Sequence, residues 1–79
     1  MKARVIVTLK PGVLDPQGKA IEGALKGLAV DGLTSVRQGK VFDIELEGED
    51  QAASHARLSE ACERLLANTI VENYAIEIA

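Results

Sequence analysis

Along this chain the spacing of the apolar residues switches between a period of two and a period near 3.6, and the order of the switches leaves few folds open. In "KARVIVTL", residues 2–9, Ala3, Val5, Val7 and Leu9 alternate with Lys2, Arg4, Ile6 and Thr8, as in a half-buried strand. From Pro16 to Leu28, Ala20, Ile21, Ala24, Leu25 and Leu28 recur at helical spacing, with Lys19, Glu22 and Lys26 on other faces. "LTSVRQGKVFDIELEGED", residues 33–50, reads as a hairpin. Gly39 takes positive φ at its turn, and Phe42, Ile44 and Leu46 alternate with Val41, Asp43, Glu45 and Glu47 on the better arm. Gly48 ends that arm. Asp50 then caps a second helix whose stripe is Ala53, Ala56, Leu58, Ala61, Cys62, Leu65 and Leu66, with Asn68 as a left-handed stop. In the closing "IVENYAIEIA", Tyr74, Ile76 and Ile78 alternate with Asn73, Ala75 and Glu77.

The order is therefore βαββαβ in a single domain over residues 1–79, without linkers or repeats. Right-handed crossovers predict an α+β two-layer sandwich of the ferredoxin-like kind: a four-stranded antiparallel sheet with both helices on one face. Exchange of a strand between copies would leave the same pattern. The first and third strands would be neighbours, bringing Lys2, Arg4 and Lys10 near Asp43, Glu45 and Glu47.

A chain of 79 residues buries only about 60% of the surface its unfolded form exposes, so its core needs support. One cysteine and one histidine provide neither a disulfide nor a zinc set. Association is the remaining device, and either a homo-oligomer, dimer or tetramer being undecided by the sequence, or a subunit of a larger assembly is expected. The start of the chain lacks the apolar run of a signal peptide, and nothing approaches the ~18 apolar residues of a membrane span, so a cytoplasmic location is expected. Up to Val41 seven Lys and Arg stand against three Asp and Glu; from Phe42 onward two stand against nine. An acidic chain with two aromatics has neither the basic field nor the stacking platform for nucleic acid. The two halves of opposite sign suit contacts between strands or between copies, or simply solvate two faces.

No nucleophile, base and orienting group stand at motif spacing, so no catalytic residue, metal ligand or cofactor-binding residue is assigned to the chain. Cys62 lies on the apolar stripe of the second helix, where a buried cysteine behaves as a small hydrophobe. His55 reads as a solvated helix residue. The glycine-containing "PGVLDPQGK" matches neither the phosphate-loop nor the dinucleotide spacing, and Asp15 puts a carboxylate where an anion would sit.

"LKPGVLDPQG", residues 9–18, is long for a strand-to-helix connection. A residue before proline is driven out of the helical region, so Asp15 is the cap and Pro16 the first helical residue. Gly12 suits the turn. Val13 and Leu14 are then left in the loop as an apolar arm able to pack on a neighbour. A "PGVL" turn running directly into the helix would instead suggest a small-molecule-sensing module of the ACT type.

"VTLKPGVLDPQGKAIEGAL", "VRQGK" and "CERLLANTIVENYAIEI" together closely resemble the PurS family, the small subunit of phosphoribosylformylglycinamidine synthase, over essentially the whole chain. Thr69 stands where that family is expected to favour proline. The positions that match its motifs are Lys10, Pro11, Gly12, Asp15, Pro16, Gly18, Lys19, Arg37, Gly39, Lys40, Leu65, Leu66, Asn68, Glu72 and Tyr74. The resemblance implies a non-catalytic subunit. A dimer of it would join a glutaminase subunit to a large synthetase subunit, which uses ATP and Mg to convert formylglycinamide ribonucleotide to its amidine. Gly12, Asp15, Pro16, Gly39 and Asn68 have turn or cap explanations. Arg37, Lys40 and Tyr74 become candidates for subunit contacts beside Val13 and Leu14, although Tyr74 also suits a core position and Arg37 and Lys40 an ordinary surface.

Overall fold

A computed structural model describes residues 1–79. The elements are β1 (Lys2–Leu9), α1 (Pro16–Gly27), β2 (Gly39–Glu45), α2 (Gln51–Ala61) and β3 (Glu72–Ile78), α2 being prolonged by a π-helical turn, Cys62–Leu66. The sheet is antiparallel, has three strands rather than the expected four, and runs β2-β1-β3. β1 is central, and its inward residues Ala3, Val5 and Val7 are all buried while Lys2, Arg4 and Thr8 face out. The expected neighbours do meet: Lys2 stands opposite Glu45 and Arg4 opposite Asp43, the latter pair closed by a 2.8 Å hydrogen bond. Lys10 does not join them, because β2 runs antiparallel and Gly39, not Glu47, lies at that end of β1.

The missing strand is the first arm of the expected hairpin. Gly39 is not a turn at positive φ; it is the first residue of β2, against Thr8. A Cβ there would stand 2.6 Å from the Val7 carbonyl oxygen, so close approach of two strands, not φ, requires the glycine. The preceding residues lie along α1. Asp15 caps that helix, accepting from the Gly18 N–H at 2.9 Å, and its other oxygen accepts from the Gln38 N–H at 2.7 Å. One turn on, Glu22 accepts from the Val36 N–H at 3.1 Å. Two backbone donors that a fourth strand would have used are thereby satisfied on side chains.

Only one helix covers the sheet. α2 packs on β3, and its Leu58 and Cys62 are buried; Val5, Val7, Cys62 and Ala67 form the core, with Phe42, Ile44, Leu66, Tyr74 and Ile76 packed around it. Val5 and Val7, fully buried, each contribute roughly 1.5–3 kcal/mol relative to exposure. α1 does not pack on the sheet, and the molecule is elongated, 47 × 25 × 15 Å. Its buried face is Gly18 and Glu22, against residues 36–38, while the expected core stripe faces outward, with Ile21 and Leu28 exposed. The expected stripe of the second helix also departs from the structure: Ala53 and Ala56 are exposed, Ser54 is buried in their place, and Leu65 is 83% exposed. In the π-helical turn the Ala67 N–H bonds the Cys62 carbonyl five residues back, so the helix winds more slowly. Ala67, rather than Leu65, then returns to the core.

Candidate subunit interface

The turn after β1 is closed by the Val13 N–H on the Lys10 carbonyl at 3.1 Å, with Gly12 at φ +86°. It leaves Val13 half-buried and Leu14 73% exposed at the foot of α1. Arg37 lies between the two clamped residues Val36 and Gln38, and its Nη2 donates to the Lys10 carbonyl at 3.2 Å. That bond ties the α1 arm to the end of the sheet.

Lys40 and Tyr74 both stand opposite Val7, one on each side of β1, so the three share a row across the face that carries α2. The Lys40 Nζ is 3.6 Å from Glu72, and the Tyr74 hydroxyl donates to Glu63 at 3.3 Å. Burial pushes the Tyr74 phenol up, and the negative charge of Glu63 adds to the shift. Asn68 is not a left-handed stop. It turns the chain by other means, its side-chain oxygen accepting from the Ile70 N–H at 3.2 Å and its carbonyl from the Glu72 N–H at 2.7 Å, while its own N–H donates to the Glu72 carboxylate at 2.6 Å.

Arg37, Lys40 and Tyr74 thus converge on one end of the sheet with Lys10. Val13 and Leu14 lie beyond the same strand end. An open cleft of about 320 Å³ runs there, lined by Lys10, Glu63, Thr69, Glu72, Asn73 and Tyr74. Its carboxylates are already engaged by Lys40, Tyr74 and the Asn68 N–H, whereas Lys10 and Arg37 have no ion-pair partner within 4.0 Å. Such a surface offers cations, a hydroxyl and exposed leucine to a second protein surface. His55 is exposed, and Cys62 lies wholly in the core, in the cluster on which Tyr74 packs. Burial, with Glu63 adding, raises the Cys62 thiol.

The PurS family model, described as phosphoribosylformylglycinamidine (FGAM) synthase, matches residues 2–79. The chain belongs to the PurS family. It is 47% identical over 75 residues to the PurS subunit of phosphoribosylformylglycinamidine synthase from Synechocystis, covering 95% of this chain and 75% of the relative. With the Bacillus subtilis PurS subunit the identity is 40% over 77 residues, 98% of this chain and 90% of that one. The Methanocaldococcus jannaschii PurS crystal structure shares the fold at a TM-score of 0.86 and 38% identity, covering 96% of this chain and 92% of that chain. A chain of the PurLQS structure from Thermotoga maritima matches at a TM-score of 0.88 and 32% identity, covering 96% and 93%. Membership of the PurS family displaces the ACT-type alternative.

Sequence reasoning misses one member of this constellation, Glu22. Periodicity puts it only off the apolar stripe; the structure buries it between Lys19 and Lys26, at 3.6 and 3.5 Å. The signal that could have found it is positional. Glu22 lies one helical turn beyond Gly18, the residue with no side chain to keep another segment away.

Proposed function

We propose that this protein is a non-catalytic bridging subunit of phosphoribosylformylglycinamidine synthase in purine biosynthesis, joining the glutaminase and synthetase chains. Glutamine-derived ammonia then reaches the ATP-dependent conversion of formylglycinamide ribonucleotide to its amidine. The observation that carries this is full-length membership of the PurS family, with a close structural match inside a three-subunit assembly of that name. The chemistry, and the ATP and Mg it uses, belong to the synthetase chain; the complex works in the cytoplasm. Val13, Leu14, Arg37, Lys40 and Tyr74 are the contact residues.

The protein acts as a homodimer. Supporting this, α1 leaves Ile21 41% and Leu28 74% exposed, while α2 leans on β3 and leaves Phe42 and Ile44 of β2 only half-buried. A second copy's α1 is apolar on the side such a surface needs. The test of function is amidine formation by the purified synthetase and glutaminase chains, with and without this protein, from glutamine and from free ammonia. A requirement for this protein with glutamine alone supports bridging. Equal rates without it in both assays refute the reading.

A further inference from the structure

Two of the three fully or nearly buried polar side chains of this protein, Asp15 and Glu22, direct oxygens to backbone N–H groups of one short segment. Those donors belong to Val36 and Gln38, the residues immediately before and after Arg37. The arrangement is demanding to build. Burying carboxylates requires full compensation, which Asp15 finds in two backbone N–H donors and Glu22 in one backbone N–H with Lys19 and Lys26. It also requires a glycine at position 18, where a Cβ would stand 2.5 Å from the Asp15 carboxylate and 2.7 Å from the Val36 carbonyl oxygen.

What the clamp immobilises is the backbone on both sides of Arg37, whose exposed guanidinium is in turn held by its bond to the Lys10 carbonyl. Of the five N–H donors of its guanidinium, one bond is made, to the Lys10 carbonyl, and no carboxylate lies within ion-pair distance. Asp15, whose carboxyl feels the charge of Arg37, has each oxygen engaged by a backbone donor. Lys10 beside it is equally unpaired. In a chain of net charge −3, the end of the sheet that carries Arg37 is left with free positive charge.

We propose that Asp15 and Glu22 are positioning residues: by fixing the backbone on both sides of Arg37 they present its guanidinium at a set point to a carboxylate-bearing surface of a partner subunit. This rests on the reading of Arg37 as a subunit contact. A planar donor fork recognises a carboxylate in two parallel bonds, and holding its backbone beforehand lowers the ordering cost on docking.

A double-mutant cycle tests it, with the full-length protein, its glutaminase and synthetase partners, glutamine and ADP, docking being read as an affinity. Arg37→Ala should weaken docking about tenfold, and Glu22→Ala about fivefold in the native background but less than about twofold when Arg37 is already Ala, since coupled residues are not additive. Glu22→Gln, which keeps an oxygen for the Val36 N–H, should restore most of the affinity. Hydrogen exchange at Val36 should quicken in Glu22→Ala and stay slow in Glu22→Gln. If Arg37→Ala has no effect, the reading of Arg37 and this inference fall together. If Arg37→Ala weakens docking but Glu22→Ala does so equally with and without Arg37, or not at all while Val36 exchanges faster, Arg37 remains a contact and the positioning role is overturned.

Discussion

Replacing Gly18 with alanine separates two effects that usually act together. In an ordinary helix interior alanine is better than glycine by about 0.8–1 kcal/mol, through backbone entropy. Gly23 on the same helix is such a site, with nothing within 4 Å of where a methyl would stand, so Gly23→Ala should stabilise α1 by about that amount. At Gly18 the new methyl meets the Asp15 carboxylate at 2.5 Å and the Val36 carbonyl at 2.7 Å. Neither can yield freely, because the first is bonded to Gly18 and Gln38 and the second belongs to a residue held by Glu22. Overpacking of this kind costs about 1–3 kcal/mol, which exceeds the propensity gain over most of its range. The two variants should therefore differ by about 1–3 kcal/mol in opposite directions from the native protein.

Because α1 does not rest on the sheet, the difference belongs to local opening of the α1 arm rather than to the global transition. Native-state hydrogen exchange of the α1 amides, and of Val36 and Gln38, is the assay. Each 1.4 kcal/mol is a factor of ten in protection, so Gly18→Ala should exchange several-fold to about a hundredfold faster than Gly23→Ala. Equal protection in the two variants would refute the claim that residues 36–38 are seated on the face of α1 marked by Gly18.

Acid should release the same arm. Backbone donation, first from Gln38 and then Gly18, holds Asp15 below the usual carboxylate range, and donation from Val36, with Lys19 and Lys26, does so for Glu22. Their contribution is complete above about pH 5 and is lost as pH falls through the lowered folded values; exchange at Val36 that is insensitive to acid, after correction for intrinsic rates, would contradict this. Cys62→Ser places a hydroxyl at a site with no exposure and should cost about 1–3 kcal/mol in urea unfolding, while the native thiol should be alkylated only as fast as the protein opens. Gly39→Ala puts a Cβ 2.6 Å from the Val7 carbonyl and 3.0 Å from Thr8 Cγ2, and should cost about 1–3 kcal/mol, seen as loss of amide protection at the Thr8 end of the β1–β2 ladder. Leu14→Asp should weaken self-association in sedimentation without lowering the melting temperature of the sheet; an unchanged oligomer would remove the exposed arm from the dimer contact.

Local chemistry is legible in the sequence. The start of α1 at Asp15-Pro16 and of α2 at Asp50 is written in cap residues, and in the structure each carboxylate accepts from the N–H three residues on. Period-two runs mark β1, β2 and β3 to within a residue or two. The helix stripes mislead, for a physical reason: periodicity reports which face is apolar, not what covers it. Ile21 and Leu28 carry the pattern of a core face yet lie exposed, because α1 has no sheet beneath it in its own chain. Leu65 falls out of its stripe because the π-helical turn alters the winding, and nothing in "CERLL" announces that turn. Of the candidate contacts, Arg37 and Lys40 are neighbours in "VRQGK", but no sequence spacing groups Tyr74 with them, and only the β2-β1-β3 order brings it to the same end.

The two largest misreadings, a fourth strand that does not form and a glutamate placed outside the buried stripe, are one error. Residues 36 and 38 are two apart, the spacing at which an extended chain aims its N–H groups to one side. In a hairpin those donors would pair with β2. Here Glu22 and Asp15 take them, and a buried donor needs only one good acceptor. The outer edge of β2 is consequently left unpaired, and Lys40 on one face with Asp43 and Glu45 on the other supply charges by which exposed edges avoid indiscriminate pairing. One substitution of acceptor thus explains the three-stranded sheet, the detached helix and the fixed position of Arg37. On the proposal made above, the same buried carboxylates serve the placement of a contact at Arg37.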